Sequence, residues 1–512
     1  MSVQPRVGTN KRLWLTAAVL LAAAVLSRAP LCGYPFVSDE TEWSYGGREW
    51  ALHGVSPYQA VFESKPPGIY ALFAAMWALG TANVNAARLA TALAVFATGL
   101  GLLWLGVRLR DYRTGLIAAL GYVLWAGSPT VGDPVACTEP WVALAATWGM
   151  LCAILGSGPW SALMAGVCAA GGLLFKQTGA LEALAILVAL GLRGVSESRE
   201  AEEGRGTHPG VVAVSWGVLG LVVVMGAVVA YFARLGDLSG LLEVGYLAVL
   251  RGTSGYSDFS RLQALHNWLP FLRDGALLVV GLVALVGWSW REMPRQARLS
   301  LGVWLVLALL SPVLTGPRYG HHLVTLMAPV AVAGGLGFSW LWRRFEGGEP
   351  RGAGTRRRGP AWLVLVVLLG GYLVAEVPVA KRGVSYLLKG PFTNYGRIVG
   401  EYVAERSGPE DTVFCAGDNY SQAVYIYADR RSPCRHVNLH YQDHASWWPE
   451  MQAGLAAHPP RFFVFGGELS LNNPLNRRTP AASYLADYVE KGPYRRVTVP
   501  GAERMAVFER RQ

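Results

Sequence analysis

The sequence predicts an α-helical polytopic membrane protein of about eleven transmembrane helices, followed by a C-terminal α/β soluble extracytoplasmic domain. Three observations predict it. Of 512 residues, 52% are hydrophobic and 15% charged, and the apolar ones are gathered in long blocks instead of being spread at core periodicity. Basic residues recur in alternate gaps between those blocks. From Lys381 onward the long blocks cease and short strand and helix patterns alternate.

A helix needs about 20 apolar residues to cross the hydrocarbon, and somewhat fewer where neighbours shield it. The crossings are residues 13–31, 86–107, 115–131, 140–155, 159–175, 179–192, 211–232, 275–290, 299–314, 323–342 and 361–379. Segment 179–192 is the weakest, because it is short and carries Glu182. The first block is too long for a cleavable signal peptide, and Arg28 and Pro30 follow it where small residues are expected. Residues 66–79 are too short to span and are expected to dip into the interface and return.

With that placement the basic clusters fall on one face: Arg6, Lys11 and Arg12; Arg108, Arg110 and Arg113; Arg193, Arg199 and Arg205; Arg291, Arg295 and Arg298; then Arg343, Arg344, Arg351 and Arg356 to Arg358. These loops hold 18 Lys and Arg against 8 Asp and Glu, whereas the opposite loops are net acidic. The positive-inside rule puts the first face, and the N-terminus, in the cytoplasm and everything after Val379 outside, in a cell inner membrane. Counting 66–79 as a crossing would scramble the separation. The formal charge of +11 is therefore topological and calls for no nucleic acid partner. The expected domains are residues 1–380, a membrane domain with outer-loop amphipathic helices at 32–80, and residues 381–512, soluble and extracytoplasmic.

In the second domain, strand patterns begin near Thr412, His436, Arg461, Arg495 and Met505, with helical patterns at 395–406, 421–428, 449–457 and 481–491 between them and a polar loop at 467–480. The alternation suggests a sandwich with a mostly parallel sheet. Cys137, Cys152 and Cys168 lie in or beside apolar blocks and read as small buried thiols. Cys415 and Cys434 sit in the exported domain, where an oxidising compartment leads us to expect a disulfide between them.

The chemistry gathers in the first outer loop. Asp39 and Glu40 stand together at the outer end of the first crossing, where a bare carboxylate must be solvated, paired or working. Trp43, Tyr45, Trp50 and Tyr58 alternate with Glu42, Arg48 and Glu49, a mixture suited to amphipathic helices in the headgroup layer. Glu63, Ser64, Lys65, Pro66 and Pro67 would fold the loop back over the membrane face. Asp133 and Glu139, in GDPVACTEPW, form a second acidic cluster on the same face, which could equally reflect helix capping beside Pro134 and Pro140.

The Asp-Glu pair after the first helix, GGREWALHGVSPY, the turn KPPGIY and the later NAARLATAL together resemble the polyprenyl-phosphate-dependent glycosyltransferases of the membrane-embedded GT-C class. Glycosyltransferase family 39 and the lipid A aminoarabinose transferases are nearest in pattern, with protein O-mannosyltransferases further off. The resemblance covers the membrane half and implies a GT-C-like fold that transfers a sugar from a lipid-linked phosphate donor to a glycan, lipid or protein acceptor, usually with inversion. It implies that Asp39 deprotonates the acceptor, although Glu40 beside it is not separable by sequence, and that Glu139 approaches the site.

Breaking the sugar–phosphate bond takes a phosphodiester of charge about −1 toward a monoester of about −2, so cations or a metal must meet the developing charge. Lys65, Lys176 and Arg318 are the basic residues best placed on the outer face. Lys65 is locked beside two prolines, and Tyr319, His321 and His322 crowd Arg318. For Lys176, snorkelling to the interface explains the position as well as a phosphate contact does. A divalent ion bridging Asp39, Glu139 and His321 is compatible with these residue types, but none is assigned, since paired histidines at helix ends often serve as interfacial hydrogen-bonders.

The outer loop at 233–274, with Arg251, Tyr256, Asp258, Arg261 and His266, has the length of a lid. Glu182 and Glu376 read as near-interface residues. Two rival classes are a polytopic transporter, which would place charges at the midplane on repeated broken helices, and a non-catalytic protein that binds lipid-linked sugars. The charges gather on one face instead, and no repeat is evident.

Overall fold

The computed structural model describes residues 7–31, 34–128, 135–194, 208–248, 261–286, 290, 293–315, 320–347, 393–416, 419–437, 448–466 and 480–511. The first helices are α1 (Val7–Leu26), α2 (Ser38–His53), α3 (Pro57–Ala60), α4 (Pro67–Ala78), α5 (Val84–Leu109) and α6 (Tyr112–Ala126). Then come α7 (Glu139–Leu155), α8 (Gly158–Phe175), α9 (Gly179–Gly191), α10 (Pro209–Arg234), α11 (Leu238–Leu242), α12 (Arg261–Asp274), α13 (Ala276–Ala284), α14 (Arg295–Thr315) and α15 (Val324–Gly347). The C-terminal segment holds α16 (Tyr395–Arg406), β1 (Val413–Ala416), α17 (Asn419–Ala428), α18 (Trp448–Ala457), β2 (Phe462–Phe465), α19 (Pro480–Lys491), β3 (Tyr494–Val497) and β4 (Ala506–Arg510).

Among the described residues five helices are long and apolar enough to cross a membrane: Val84–Leu109, Gly158–Phe175, Pro209–Arg234, Arg295–Val313 and Gly320–Arg344. Helices α7 and α9 are shorter apolar helices in two further predicted crossings. The segment 361–379, with Glu376, lies outside the described residues. Helix α4 has 12 residues, a length of about 18 Å, well short of the roughly 30 Å of hydrocarbon.

The chain divides into two units, Met1–Leu31, Arg88–Ala227 and Phe259–Leu388 in the first and Cys32–Ala87, Val228–Asp258 and Lys389–Gln512 in the second. In the first unit, helices pack around Leu20, Val95, Leu102, Val123, Ile186, Leu301 and Met327. Lipid offers no hydrophobic drive between helices, so close backbone approach has to supply the attraction. Gly337 illustrates it, since a Cβ there would lie 1.8 Å from the Gly281 carbonyl oxygen. Leu15, Val223 and Val306 face outward as lipid-facing residues do.

The second unit is built on a four-stranded sheet of order β1-β2-β4-β3. Strands β1 and β2 pair parallel, β2 and β4 antiparallel, and β3 and β4 antiparallel. The sheet is thus mixed, not mostly parallel as expected, because the short link from Val497 to Ala506 permits a hairpin, whereas a parallel return needs a crossover of a dozen residues or more. His436 and Val437 are not in a strand, and the rest of that predicted strand lies outside the described residues. Side chains alternate across the sheet: Val413, Cys415, Phe462 and Val464 join one core, and Phe414, Ala416, Phe463 and Phe465 join the other.

That alternation corrects the expected disulfide. Cys415 and Cys434 are both free thiols. The Cys415 side chain belongs to the first core, whereas Cys434 packs against the second, so the sheet itself stands between them. Burial pushes the Cys434 thiol up to about 12.

The outer loop is not an independent interfacial hairpin. Tyr45, Ala60 and Val61 are members of the same core as Val413, Cys415, Val424 and Val464, and the Phe62 amide donates to the Arg435 carbonyl at 2.7 Å. The core of the C-terminal segment is therefore completed by residues more than three hundred positions earlier, on the outer loop. Burying a large apolar side chain such as Val61 is worth ~1.5–3 kcal/mol, a sizeable part of the ~5–15 kcal/mol that holds a domain together. A fragment of residues 389–511 is expected to unfold without a sharp thermal transition and to regain one when residues 32–87 are co-expressed. A cooperative melt of the fragment alone would contradict this.

Candidate functional site

The first outer loop opens with α2, whose N-cap is Val37. The Val37 amide donates to Glu40 Oε2 at 3.1 Å, half of a capping box, and Glu40 is buried. Asp39, one residue earlier in the first turn of α2, is exposed. The two adjacent acids thus separate by environment, Glu40 closing the helix end and Asp39 facing outward.

Lys65 lies at the other end of the loop. Its ammonium is paired with Glu63 Oε1 at 2.5 Å and sits 6.0 Å from the Trp43 ring centroid. Tyr58 is fully buried, and its hydroxyl donates to the Lys65 carbonyl at 3.2 Å. Burial, then Tyr246 and Asp237 nearby, raise the Tyr58 pKa well above the usual phenol value, so it remains a donor. Trp43, Tyr45 and Tyr58 were expected to anchor in headgroups and are instead buried, because both sides of α2 are covered by protein. Trp50 donates from Nε1 to the Tyr231 hydroxyl at 2.8 Å. Sequence reading missed Glu63 as the partner of Lys65, for which the E-x-K spacing is a usable signal.

In the first unit, three elements bring a second constellation together. Glu139 opens α7 and accepts from the Thr138 hydroxyl at 3.1 Å. Lys176, the residue that ends α8, is ion-paired with Glu139 Oε1. His321 Nε2 is 3.9 Å from the same oxygen, and the His321 and His322 rings meet edge to face at 4.9 Å. Both histidines sit in the turn Gly320–Leu323 before α15. Lys176 is therefore turned toward a buried carboxylate and does not snorkel. Asp133, Arg318, Tyr319, Arg251, Tyr256 and Asp258 lie outside the described residues, and of Arg261 and His266 only their place on α12 is described.

Glu139, His321 and His322 can each offer one ligand atom within 4.8 Å of the others. One carboxylate and two imidazoles form a donor set that zinc accepts. His322 is the residue that brings the set to three. The ammonium of Lys176 already rests on Glu139 Oε1, and a dication at that oxygen would have to displace it. An anion would instead find an ammonium and two imidazoles.

Glu182 is buried inside the first unit, where Trp304 Nε1 donates to its Oε2 at 2.8 Å.

These helices and the small sheet together define a polytopic membrane protein of the GT-C fold. The chain superposes on ArnT from Cupriavidus metallidurans bound to undecaprenyl phosphate with a TM-score of 0.60 and 14% identity, over 97% of this chain and 98% of that one. It is also similar to the Archaeoglobus fulgidus oligosaccharyltransferase tethered with an acceptor peptide, with a TM-score of 0.54 and 13% identity over 98% of this chain and 74% of that one. The oligosaccharyltransferase AglB from Archaeoglobus fulgidus, in complex with an inhibitory peptide and a dolichol-phosphate, gives a TM-score of 0.54 at 13% identity, over 94% of this chain and 72% of that one. No protein-family model matches the chain, and no curated protein does.

Proposed function

We propose that the chain is a membrane glycosyltransferase that moves a hexosyl or pentosyl group from a polyprenyl-phosphate donor to an acceptor on the extracytoplasmic face, with inversion. The observation that carries this reading is the likeness to ArnT bound to undecaprenyl phosphate, which runs over nearly the full length of both chains. The reading places the protein in the cell inner membrane with its N-terminus in the cytoplasm and residues 381–512 outside, as the basic loops favour.

Asp39 is the general base, and its exposure supports it over Glu40. It takes the proton from the acceptor hydroxyl as the oxygen bonds to the anomeric carbon. The sugar–phosphate bond breaks on the opposite side, and its electron pair leaves on the lipid phosphate. Lys176, His321 and His322 meet the charge growing there. Arg318 and Tyr319, two or three residues before His321 in sequence, and Lys65 with its partner Glu63 are assigned the same task. Glu139 orients Lys176. The acceptor is a glycan, lipid or protein, and no metal is required by this scheme.

The lipid profile of a deletion strain tests the reading. Mass spectrometry is expected to find a polyprenyl-phosphate sugar accumulating while one surface glycan, glycolipid or glycoprotein loses that sugar. An unchanged lipid-linked pool would set the proposal aside.

A further inference from the structure

Arg48 lies nine residues after Asp39 on α2, about two and a half turns and about 13.5 Å along the axis, hence on the opposite face. It is 1% exposed. Its guanidinium fork donates from Nη1 to the Tyr425 carbonyl in the last turn of α17 at 2.6 Å and from Nη2 to the Arg430 carbonyl, just past that helix, at 3.1 Å. The same Nη2 is 2.8 Å from Glu49 Oε1, and Nη1 is 3.2 Å from Asp429 Oδ1. Arg431 Nε completes the set at 3.0 Å from Glu49 Oε2. One turn earlier the Tyr45 hydroxyl accepts from the Ser432 amide at 2.9 Å.

The other side of α2 is held as firmly. A Cβ on Gly47 would lie 2.8 Å from the Ala74 amide nitrogen, so α4 touches the α2 backbone there. The helix bearing Asp39 is thus clasped between α4 and the C-terminal segment. A buried ion pair is weak support for stability, since apolar residues of like volume often hold as well. What the fork adds is one allowed rotation and height of the helix.

We propose that Arg48 and Glu49 are positioning residues for Asp39, through which the C-terminal α/β segment sets the base against the acceptor hydroxyl. This inference rests on the glycosyltransferase reading and on Asp39 as base. Rigid helices carry displacement along their length, and a misplacement of about 1 Å at a reacting group costs up to about a hundredfold in rate.

The test uses full-length protein in detergent or membranes, with Arg48→Met/Glu49→Leu, Arg48→Lys and Asp39→Asn compared for melting temperature, donor KM, turnover per folded molecule and its pH profile. The apolar pair is expected to fold with a lowered melting temperature, since two carbonyls lose their donor, and to keep the donor KM. Its turnover should fall by about tenfold to a hundredfold while the acid limb of the pH profile, set by Asp39 itself, stays in place. Arg48→Lys, which keeps the charge and loses the fork, should recover part of the rate, and it decides the matter if the apolar pair does not fold. Wild-type turnover per folded molecule, or a loss matching only the loss of folded protein, would overturn the proposal. Full activity in Asp39→Asn would overturn the base assignment instead, whatever the Arg48 variants do.

Discussion

Asp39→Asn is expected to abolish most transfer, lowering turnover by about two orders of magnitude or more, while melting temperature and donor binding stay at wild-type values. The substitution keeps the shape and removes the charge and with it the ability to accept a proton. Asp39 is exposed, so no buried charge is left behind. Glu40→Ala is the contrasting variant, since a glutamine would keep an acceptor for the Val37 amide. Its carboxylate accepts the Val37 amide at the helix end, so the loss there is expected in stability, at the scale of ~1 kcal/mol for a cap, and not in chemistry. Equal losses of turnover in both variants would merge the roles that the geometry separates.

The second large effect is expected at Lys176. Removing it alone would strand the buried Glu139 carboxylate, a costly change unrelated to donor use. Lys176→Met with Glu139→Gln removes both charges together. A charge-assisted hydrogen bond to phosphate is worth ~1.5–3 kcal/mol, which corresponds to about tenfold to a hundredfold in affinity. The double variant is therefore expected to raise the donor KM by that factor and to bind undecaprenyl phosphate correspondingly less well in detergent, with the acceptor KM unchanged. Lipid affinity equal to wild type would remove Lys176 from the phosphate site.

The membrane half was legible because hydrocarbon thickness forces a length and composition that few other structures need, and the short apolar run at 66–79 was separated by the same ruler. The alternation in the C-terminal segment was also legible, since β1, β2, β3 and β4 lie where the strand patterns near Thr412, Arg461, Arg495 and Met505 fall. The union of the outer loop with that segment was not. Arg48 meets Tyr425 across 377 residues, and a contact of that separation leaves no local period. Read locally, Arg48 and Glu49 were the wet face of an amphipathic helix; in the fold they are buried.

The candidate site shows the same division. Residue types at predicted helix ends picked out Glu139, Lys176, His321 and His322, which the first unit brings together. No ion was assigned from sequence, and His322 joins Glu139 and His321 only once the turn Gly320–Leu323 is folded. Asp39 and Glu40 looked alike as neighbours. Only the capping geometry of α2 tells them apart.

The central claim is that Asp39 carries out the proton step of transfer from a lipid-linked sugar. The most direct measurement is the lipid-linked sugar pool of a strain whose only copy carries Asp39→Asn, at wild-type protein level. The account predicts the same accumulated polyprenyl-phosphate sugar as in the deletion strain. A pool indistinguishable from wild type, with the surface product intact, would contradict it.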